Sequence, residues 1–443
     1  RAFGKHKLAP TLSPKKTVEG SIGGIVGTIV MFIAYGLLIS NIMNNVQVNF
    51  VSIGFLGLVC AIVSQIGDLS ASAIKREQNI KDFGNLMPGH GGVLDRFDSL
   101  ISIAIVLLII IVAFFVIRAI GKGIYNRTPD GGINESMYVD INGTKQWINI
   151  YGEDVNNPVL LYLHGGPGSA TSHLDYAITR KWADVYTVVT WDQRNCGKSY
   201  DAKQNDIVLT KELFLTDGKE LTEFVLDYLS KDKITLLGHS WGSIYGANLV
   251  LEHPEYFECF IGTGQLVDMG ENEEAFKQEA VLWAKGDEET LALVNQLTPE
   301  LMTKEHIIAR NTIMQKYGYD MMVNGSDYNL VTTLIFNPNY SLMDWIKYLK
   351  SDMGVYWDFF ASEEFTSFSL SGRTDYEVPF YNINGDRDYQ TNYQLAQEYF
   401  EEVNAPYKQL FMMENMTHGL LESDSEGFSE IVHQIAKAER ERK

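Results

Sequence analysis

The chain has 443 residues, of which 45% are hydrophobic and 21% are charged, a composition that excludes a disordered or low-complexity protein. Its formal net charge is −20, which argues against nucleic acid as a partner because phosphate binding depends on clustered Lys and Arg. This charge is unevenly divided, since residues 1–130 carry +5 and residues 131–443 carry −25. Three single cysteines form no CxxC pair and indicate neither a zinc site nor a disulfide framework.

The basic part begins with apolar segments that are long enough to cross a membrane. Residues 21–66 contain no charged side chain, and polar residues near position 45 divide them into two predicted spans, about 21–43 and 50–66. A third span is predicted between Asp98 and Arg118. These segments are internal and longer than the apolar core of a signal peptide, so a cleaved signal is not expected.

Basic residues in the short loops predict the orientation of these spans. Five Lys or Arg residues precede the first span, none lies in the turn near position 45, and four lie between residues 67 and 98. The amino terminus and the 67–98 segment are therefore expected on the cytoplasmic side, with the acidic part outside. Arg118, Lys122 and Arg127, just beyond the third span, favour the opposite side.

Charged residues and glycines are concentrated between the second and third spans. Asp68 and Asp95 could together hold a Mg²⁺ ion that bridges nucleotide phosphates, with Lys75 and Arg76 balancing the remaining charge. The alternative is a basic loop held by lipid headgroups. Residue types alone leave both interpretations open.

Residues 13–20 (SPKKTVEG) and 72–98 together resemble the carboxy-terminal third of phosphatidate cytidylyltransferases, membrane enzymes that make CDP-diacylglycerol from CTP and phosphatidic acid. The resemblance covers residues 1–98. It implies that Asp68 and Asp95 are metal ligands and that Ser72 and Lys75 lie near the nucleotide. Family members carry further spans and another Asp-containing segment before the position that corresponds to Arg1. A fragment, a degenerate remnant and a gene fusion remain alternatives.

The acidic part alternates short apolar runs with segments of helical period after a turn-rich linker at residues 128–132. Strand followed by helix, repeated, predicts a mostly parallel sheet that is covered on both faces. The predicted strands are 137–142, 146–151, 158–163, 186–191, 233–238, 257–262, 378–384 and 407–413.

The sequence GHSWG, residues 238–242, follows the predicted strand at 233–238 and precedes a predicted helix. A GxSxG motif in this context is typical of a nucleophile elbow, which presents a serine at a tight turn between strand and helix. Ser240 is therefore the candidate nucleophile, although GxSxG alone also occurs by chance.

A serine nucleophile needs a base and an acid. In this fold the order along the chain is serine, then the acid, then the histidine. His418 follows the last predicted strand in a loop and is the candidate base. Asp388 is the candidate acid, with Asp386 as the alternative. His253, His306 and His433 are expected to be structural.

The backbone N–H groups of Trp241 and Gly166 are the candidate oxyanion donors, because Gly166 lies in a glycine-rich loop, HGGPG, at residues 164–168. Together with GHSWG and the segment DQRNCGKS at 192–199, these residues resemble the proline iminopeptidase group of α/β-hydrolases over residues 137–443. Asn195 stands where the group usually has Gly, and Lys198 often reads Arg.

About 110 residues, 265–377, separate two predicted strands and are expected to form a lid that determines specificity. Aromatic residues at 345–368 suit an apolar pocket. Glutamates of the lid bind the substrate amino group in the resembling group, but most acids here suit a solvated helix face, so no binding glutamate is assigned.

The predicted fold class is α/β: an α/β-hydrolase fold with a mostly parallel eight-stranded sheet and an inserted lid, preceded by an all-α membrane segment of three transmembrane helices. The expected domains are a truncated cytidylyltransferase-like module at 1–98, a transmembrane helix at 99–118, a linker at 119–136 and the hydrolase at 137–443.

The predicted function is a membrane-anchored serine hydrolase that acts on a small peptide, amide or ester. Its resemblance implies an aminopeptidase, and the hydrolase is expected to need no cofactor. The alternative function is phosphatidate cytidylyl transfer by the first module with Mg²⁺. The expected partners of the protein are a small peptide, amide or ester substrate and the lipid bilayer; nucleic acid is not expected.

Overall fold

The structure is a computed structural model that describes residues 4–42, 49–84, 94–297, 302–322, 325–350 and 353–442, without the side chains of 39–42, 94–96, 98–99, 349 and 350. The described chain forms two compact units, Arg1–Ile120 and Gly121–Lys443. The first unit carries the apolar segments, and the second carries the α/β segment.

The first unit begins with a short antiparallel hairpin of strands β1 (Lys7–Ala9) and β2 (Ser13–Thr17), which the sequence did not predict. Three helices follow: α1 (Val18–Ile42), α2 (Phe50–Glu77) and α3 (Leu94–Tyr125). Each is long and apolar enough to cross a membrane. The last residues of α3, from Gly121, belong to the second unit.

Helix α2 is longer than its apolar sequence predicted. The expected span ended near Ile66, but the helix continues to Glu77 and so includes Asp68, Ser72 and Lys75, which were expected in a loop. No proline interrupts this stretch, and Ala, Leu, Lys and Arg all support helix. The polar residues after Ile66 therefore continue helix α2 beyond its apolar segment.

Helices α1 and α2 approach closely through small and polar residues. A Cβ on Gly57 would lie 3.2 Å from the Cα of Ile29 and from the ring of Phe32, so glycine allows the contact. The side-chain amide of Gln65 donates to the backbone oxygen of Ser21 at 3.1 Å and accepts a hydrogen bond from its hydroxyl. This pair satisfies polar groups inside an otherwise apolar contact.

The second unit is built on an eight-stranded sheet of order β10-β9-β8-β7-β5-β6-β4-β3. Strands β3 and β4 are antiparallel to their neighbours, and the other adjacent pairs are parallel. The prediction of a mostly parallel sheet with eight strands is confirmed. The strand bounds are β3 Ile133–Ile141, β4 Thr144–Gly152, β5 Val159–Leu163, β6 Thr187–Asp192, β7 Ile234–His239, β8 Phe257–Thr263, β9 Phe380–Gly385 and β10 Lys408–Met413.

Helices cover both faces of this sheet, as the alternation of side chains on β5 demonstrates. Val159 and Leu161 belong to one apolar cluster with Phe214, whereas Leu160 belongs to another with Phe428. The helices outside the lid are α4 Tyr176–Thr179, α5 Lys211–Tyr228, α6 Trp241–Glu252, α14 Tyr393–Glu402, α15 Leu420–Ser423 and α16 Ser425–Arg442.

The lid is the segment between β8 and β9. Part of it has its own small core, which includes Phe276, Val294 and Ile313. Its helices are α7 Met269–Trp283, α8 Glu288–Val294, α9 Lys304–Lys316, α10 Leu330–Phe336, α11 Leu342–Lys350, α12 Gly354–Phe360 and α13 Glu363–Thr366. An insertion with a separate core can cover one edge of the sheet without disturbing its strands.

Candidate active site

Ser240 occupies the turn between strand β7 and helix α6. Its backbone has φ 55° and ψ −122°, a strained conformation that L-residues rarely adopt. The glycines of the motif allow this turn, because a Cβ on Gly238 would overlap the carbonyl of Gly242, and one on Gly242 would overlap the carbonyl of Leu163. The predicted strand, serine turn and helix are all present.

The structure brings Ser240, His418 and Asp388 together from three separate loops. The Nε2 atom of His418 lies 2.8 Å from the Oγ atom of Ser240, and its Nδ1 atom lies 2.8 Å from Oδ2 of Asp388. A neutral imidazole whose N–H faces Asp388 presents an unprotonated Nε2 to the serine. The arrangement can remove the hydroxyl proton of Ser240.

Asp388 is fully buried but well supplied with hydrogen bonds. Its Oδ1 accepts from the backbone N–H groups of Gln390 and Thr391, and its Oδ2 accepts from the Thr391 hydroxyl. Burial raises the pKa of Asp388, but His418 and the hydrogen bonds from His418 and Thr391 outweigh it, so the net pKa is lowered. The carboxylate is therefore charged beside the imidazole.

Asp386, the alternative acid, makes no contact with His418 among the described residues. Its backbone N–H donates to Met413, and its Oδ1 is buried without a hydrogen-bond partner in the described chain.

The other histidines have partners of their own: His306 pairs with Glu273, His433 with Asp184, and His253 lies near Glu255.

Gly166 and Trp241 both line the cavity that contains Ser240. Gly166 has φ +123°, which favours glycine in this loop. Gln193 connects the two elements, since its side-chain amide donates to His164 at 3.2 Å and its Oε1 accepts from the Trp241 indole at 3.0 Å. This hydrogen-bonded link holds the glycine loop against the start of α6.

The departures from the resembling group have local explanations. Asn195 has φ +51°, and asparagine tolerates this left-handed region better than most residues that carry a Cβ. Lys198 donates to the backbone oxygen of Asn339 in the lid at 2.7 Å, and its ammonium lies 4.3 Å from the ring centroid of Trp147. Asn195 thus fits the backbone conformation of the loop after β6, and Lys198 connects that loop to the lid.

The cavity at Ser240 has a volume of about 440 Å³ and is largely apolar. The aromatic side chains come from the part of the lid where the sequence predicted a pocket, and methionines provide further apolar surface. These lining residues are Trp357, Phe360, Phe365, Met269, Met302, Met321, Met322 and Met353. Methionine adapts to different ligand shapes, so such a lining suits a flexible apolar group.

His239 is a cavity residue that sequence reasoning did not identify. Its ring lies 4.8 Å from that of His418, with a 33° angle between the ring planes. Burial, followed by the proximity of His418, lowers the pKa of His239 to about 3. A neutral ring is therefore packed against the candidate base, and its position directly before Ser240 was the available signal.

Glu422 is a second residue that the sequence did not single out. It lines the cavity, and burial raises its pKa. Its carboxylate is hydrogen-bonded to its own backbone N–H, and no ion pair to it is found among the described residues. The lid acid Glu273 differs, since it is buried and contacts His306 at 2.7 Å and Arg310 at 3.3 Å. Glu422 is thus the cavity carboxylate without a cationic partner in the described part.

In the first unit, the candidate ligands of the nucleotide module are only partly described. Asp68 lies 2.5 Å from the ammonium of Lys16, and the Ser72 hydroxyl donates to the backbone oxygen of Asp68 at 2.8 Å. The ammonium of Lys75 lies 5.1 Å from the ring of Phe83. Asp95 belongs to α3, but its side chain lies outside the described part.

Comparison with known families gives two matches. A model described as the alpha/beta hydrolase fold matches residues 158–298, and one described as the cytidylyltransferase family matches residues 1–114. The chain therefore carries an α/β-hydrolase domain, preceded by a segment of the cytidylyltransferase family. The predicted resemblances are confirmed at this level.

Individual relatives agree with this division. Probable aminopeptidase YbaC of Bacillus subtilis is 27% identical over 298 residues, which cover 63% of this chain and 89% of that protein. Phosphatidate cytidylyltransferase of the same organism is 41% identical over 103 residues, 23% of this chain and 36% of that protein. The chain thus spans little more than a third of that cytidylyltransferase.

Among solved structures, a crystal structure of proline iminopeptidase from Mycobacterium smegmatis is similar to this chain, with a TM-score of 0.48 and 17% sequence identity. The similarity covers 69% of this chain and 98% of that one. The two proteins share 17% identity over this range, so each site residue here is assigned from its own contacts.

Proposed function

We propose that the second unit is a serine hydrolase in which Ser240 is the nucleophile, His418 the base and Asp388 the residue that orients the imidazole. The observation that carries this proposal is the continuous chain of two 2.8 Å contacts from Asp388 through His418 to Ser240. The strained backbone at Ser240 supports it, because strain of this kind occurs at functional turns.

In the proposed mechanism, the Ser240 oxygen attacks a substrate carbonyl while Nε2 of His418 takes its proton. Asp388 holds the Nδ1–H and stabilises the imidazolium that forms. The N–H groups of Gly166 and Trp241 donate to the oxyanion of the tetrahedral intermediate, and His418 then protonates the leaving group. Water hydrolyses the acyl-enzyme by the same steps. No metal or organic cofactor is needed for this sequence.

Covalent labelling tests the nucleophile directly. The full chain in detergent should react with a fluorophosphonate probe, and mass spectrometry should place the adduct on Ser240. Ser240→Ala should abolish both labelling and ester hydrolysis, while Asp388→Asn should lower turnover by roughly 10⁴-fold. Asp386→Asn is the matched control.

Two results would contradict the assignment. A Ser240→Ala variant that keeps more than about a hundredth of wild-type activity would exclude Ser240 as the nucleophile. A severe loss in Asp386→Asn with a mild loss in Asp388→Asn would move the acid to Asp386.

An aminopeptidase activity is the more specific proposal. The relative called a probable aminopeptidase is aligned over 89% of its own length, and the cavity has a carboxylate available for a substrate ammonium group. Glu422 lines the cavity together with His418 and Gly419. Because Arg310 is already paired with Glu273, Glu422 is the carboxyl group of the cavity lining that a substrate ammonium group can pair with, and a bound cation would favour its charged form.

Phosphatidate cytidylyl transfer is the second candidate, favoured by the family match over residues 1–114. Asp68 and Asp95 would hold Mg²⁺, which would neutralise phosphate charge. Asp68, however, is paired with Lys16, and the chain spans 36% of the length of the cytidylyltransferase it matches. We infer that this segment anchors the hydrolase to the membrane.

The apolar helices and the cytidylyltransferase relatives indicate membrane association. We propose three crossings, with the amino terminus in the cytoplasm and the hydrolase outside. The distribution of Lys and Arg around the first two helices supports this orientation.

A further inference from the structure

Exposed apolar side chains on the second unit are concentrated in the lid. Fifteen large apolar residues after position 125 are exposed in the described chain, and ten of them lie in the lid, which is about a third of this unit. Of the five outside the lid, three are tyrosines. Clustered exposed apolar surface on a soluble domain marks an interaction site.

Half of these ten residues lie on α10 and α11, and we call them the lid face: Leu330, Val331, Leu342, Met343 and Ile346. Met343 is 70% exposed and Val331 is 64% exposed. The other side of α11 already has partners within the unit, since the ring of Trp345 lies 6.1 Å from that of His173 and Asp344 lies 3.7 Å from Lys198. The lid face is the side of α11 left to meet another partner.

The chemistry of the lid face is unlike that of the rest of this acidic unit. The one acid of α11, Asp344, accepts hydrogen bonds from Ser341 and is engaged with Lys198. The exposed positions of α11 in the described part are therefore apolar. A helix with one apolar exposed face and no free acid suits the interface of a lipid bilayer.

The connection to the third apolar helix is short. The candidate span ends at Tyr125, and β3 begins at Ile133, so the connecting residues reach at most about 28 Å when fully extended. If the third helix crosses a bilayer as proposed, a tether of this length limits how far the start of the second unit can lie from the membrane.

The start of the second unit also contacts the lid next to the lid face. Lys122 donates to the backbone oxygen of Tyr340 at 3.2 Å, two residues before α11 begins. The ring of Tyr125 stacks on that of Phe336, the last residue of α10, at 6.4 Å between centroids. Residues that end the apolar helix are therefore neighbours of the two helices that carry the lid face.

We propose that the lid face docks on the lipid bilayer. The apolar side chains of α10 and α11 enter the headgroup region, while the polar side of α11 remains bound to the hydrolase. Contact with the membrane then stabilises the lid. The aromatic wall of the cavity is connected to α10 and α11, the helices that contact lipid.

Depth-dependent quenching tests the proposal on the full chain. The protein, with Cys60→Ser and Met343→Cys, is labelled with bimane and reconstituted in vesicles of phosphatidylcholine and phosphatidylglycerol. Lipids with a nitroxide on the acyl chain should quench this label about twofold, as expected for a residue in the interface. Val208→Cys, 77% exposed and outside the lid, is the matched control and should be quenched little.

Ile346→Cys, one turn from Met343, should give the same result and guards against failure of a single variant. Tryptophan fluorescence checks folding, because all seven tryptophans lie in the second unit. Equal quenching at positions 208, 343 and 346 would overturn the proposal. A disulfide-linked dimer of Met343→Cys without quenching would also overturn it, in favour of a second copy of the chain as the partner.

Discussion

Two residues at or near the candidate site have unusual backbone conformations, which the sequence indicates only through the identities of the residues in the motifs. Ser240 and Asn195 both have positive φ, at 55° and 51°. For Ser240 the strained backbone is consistent with the proposed nucleophile at a tight turn, and the small neighbours Gly238 and Gly242 are the sequence signature of this turn. For Asn195 the conformation explains why asparagine can replace the glycine of the resembling group.

Glu422→Gln provides a test of substrate class at the scale of one residue. If Glu422 binds a substrate ammonium group, the variant should raise KM for aminoacyl amides by about 10- to 100-fold, the usual cost of losing a charged hydrogen bond. Hydrolysis of the same amides with an acetylated amino group should change little. The exposed Glu430→Gln is the matched control.

Steady-state kinetics on the two substrate series would decide this. An equal loss on free and acetylated substrates would assign Glu422 a structural role beside His418. Retained fluorophosphonate labelling in Glu422→Gln would keep the serine hydrolase proposal intact in either case.

The positions of the candidate triad could be predicted from sequence because each follows a strand that the apolar pattern also predicts. Ser240, Asp388 and His418 stand in the loops after β7, β9 and β10, where a parallel sheet brings its functional residues together. Glu422 and His239 could not be assigned to the cavity from sequence, because a side chain lines it only if its side of the backbone faces inward. No periodic pattern in the sequence predicts this.

At the scale of elements, apolar length predicted the helices better than it predicted their ends. Helix α2 extends to Glu77 because helix-forming residues continue after the apolar stretch, and charge alone does not end a helix. The hairpin β1–β2 was missed because its strands have three and five residues and little alternation. The lid was predicted only as an insertion, since its helices are short and several lack an apolar period.

The orientation of the three apolar helices can be tested by fusion. A reporter attached after Asn126 that is active only outside the cytoplasm should be active, because basic residues flank the first two helices on one side. A reporter active only inside should be silent. Reversing the expected bias with Lys15→Glu and Lys16→Glu should reduce the signal of the outside reporter.

Activity of the cytoplasmic reporter in the wild-type sequence would overturn the proposed orientation. It would assign the decisive role to Arg118, Lys122 and Arg127 at the end of the third helix. The serine hydrolase and lid proposals do not depend on this outcome, because a bilayer has two surfaces.

At the scale of the whole molecule, buried histidines make stability depend on pH. Burial lowers the pKa of His164 and His173 to about 4 and that of His239 to about 3. Between about pH 6.5 and pH 4 the unfolded chain therefore binds more protons at these sites, so the free energy of unfolding falls as pH falls. Asp192 opposes this, because burial raises its pKa to about 6 and the folded state gains a proton there.

His173→Gln isolates one of these protons, since His173 does not line the catalytic cavity. Below pH 6.5 the variant should lose unfolding free energy less steeply than the wild type, by about 1.4 kcal/mol per pH unit. Urea unfolding followed by tryptophan fluorescence measures this difference in the second unit. Identical slopes in the two proteins would show that His173 is protonated equally in the folded and unfolded states; Val208→Ser should match the wild type.

The parallel pairing of β8 with β9 has a consequence for how the molecule is made. The two strands are separated by 116 residues, all of which must be synthesised before β9 can take its place. During synthesis from the amino terminus, β7 and α6 can form the serine turn well before Asp388 and His418 leave the ribosome. The nascent chain thus carries Ser240 without the proposed base, and under the proposed mechanism hydrolytic activity begins only when the last two strands close the sheet.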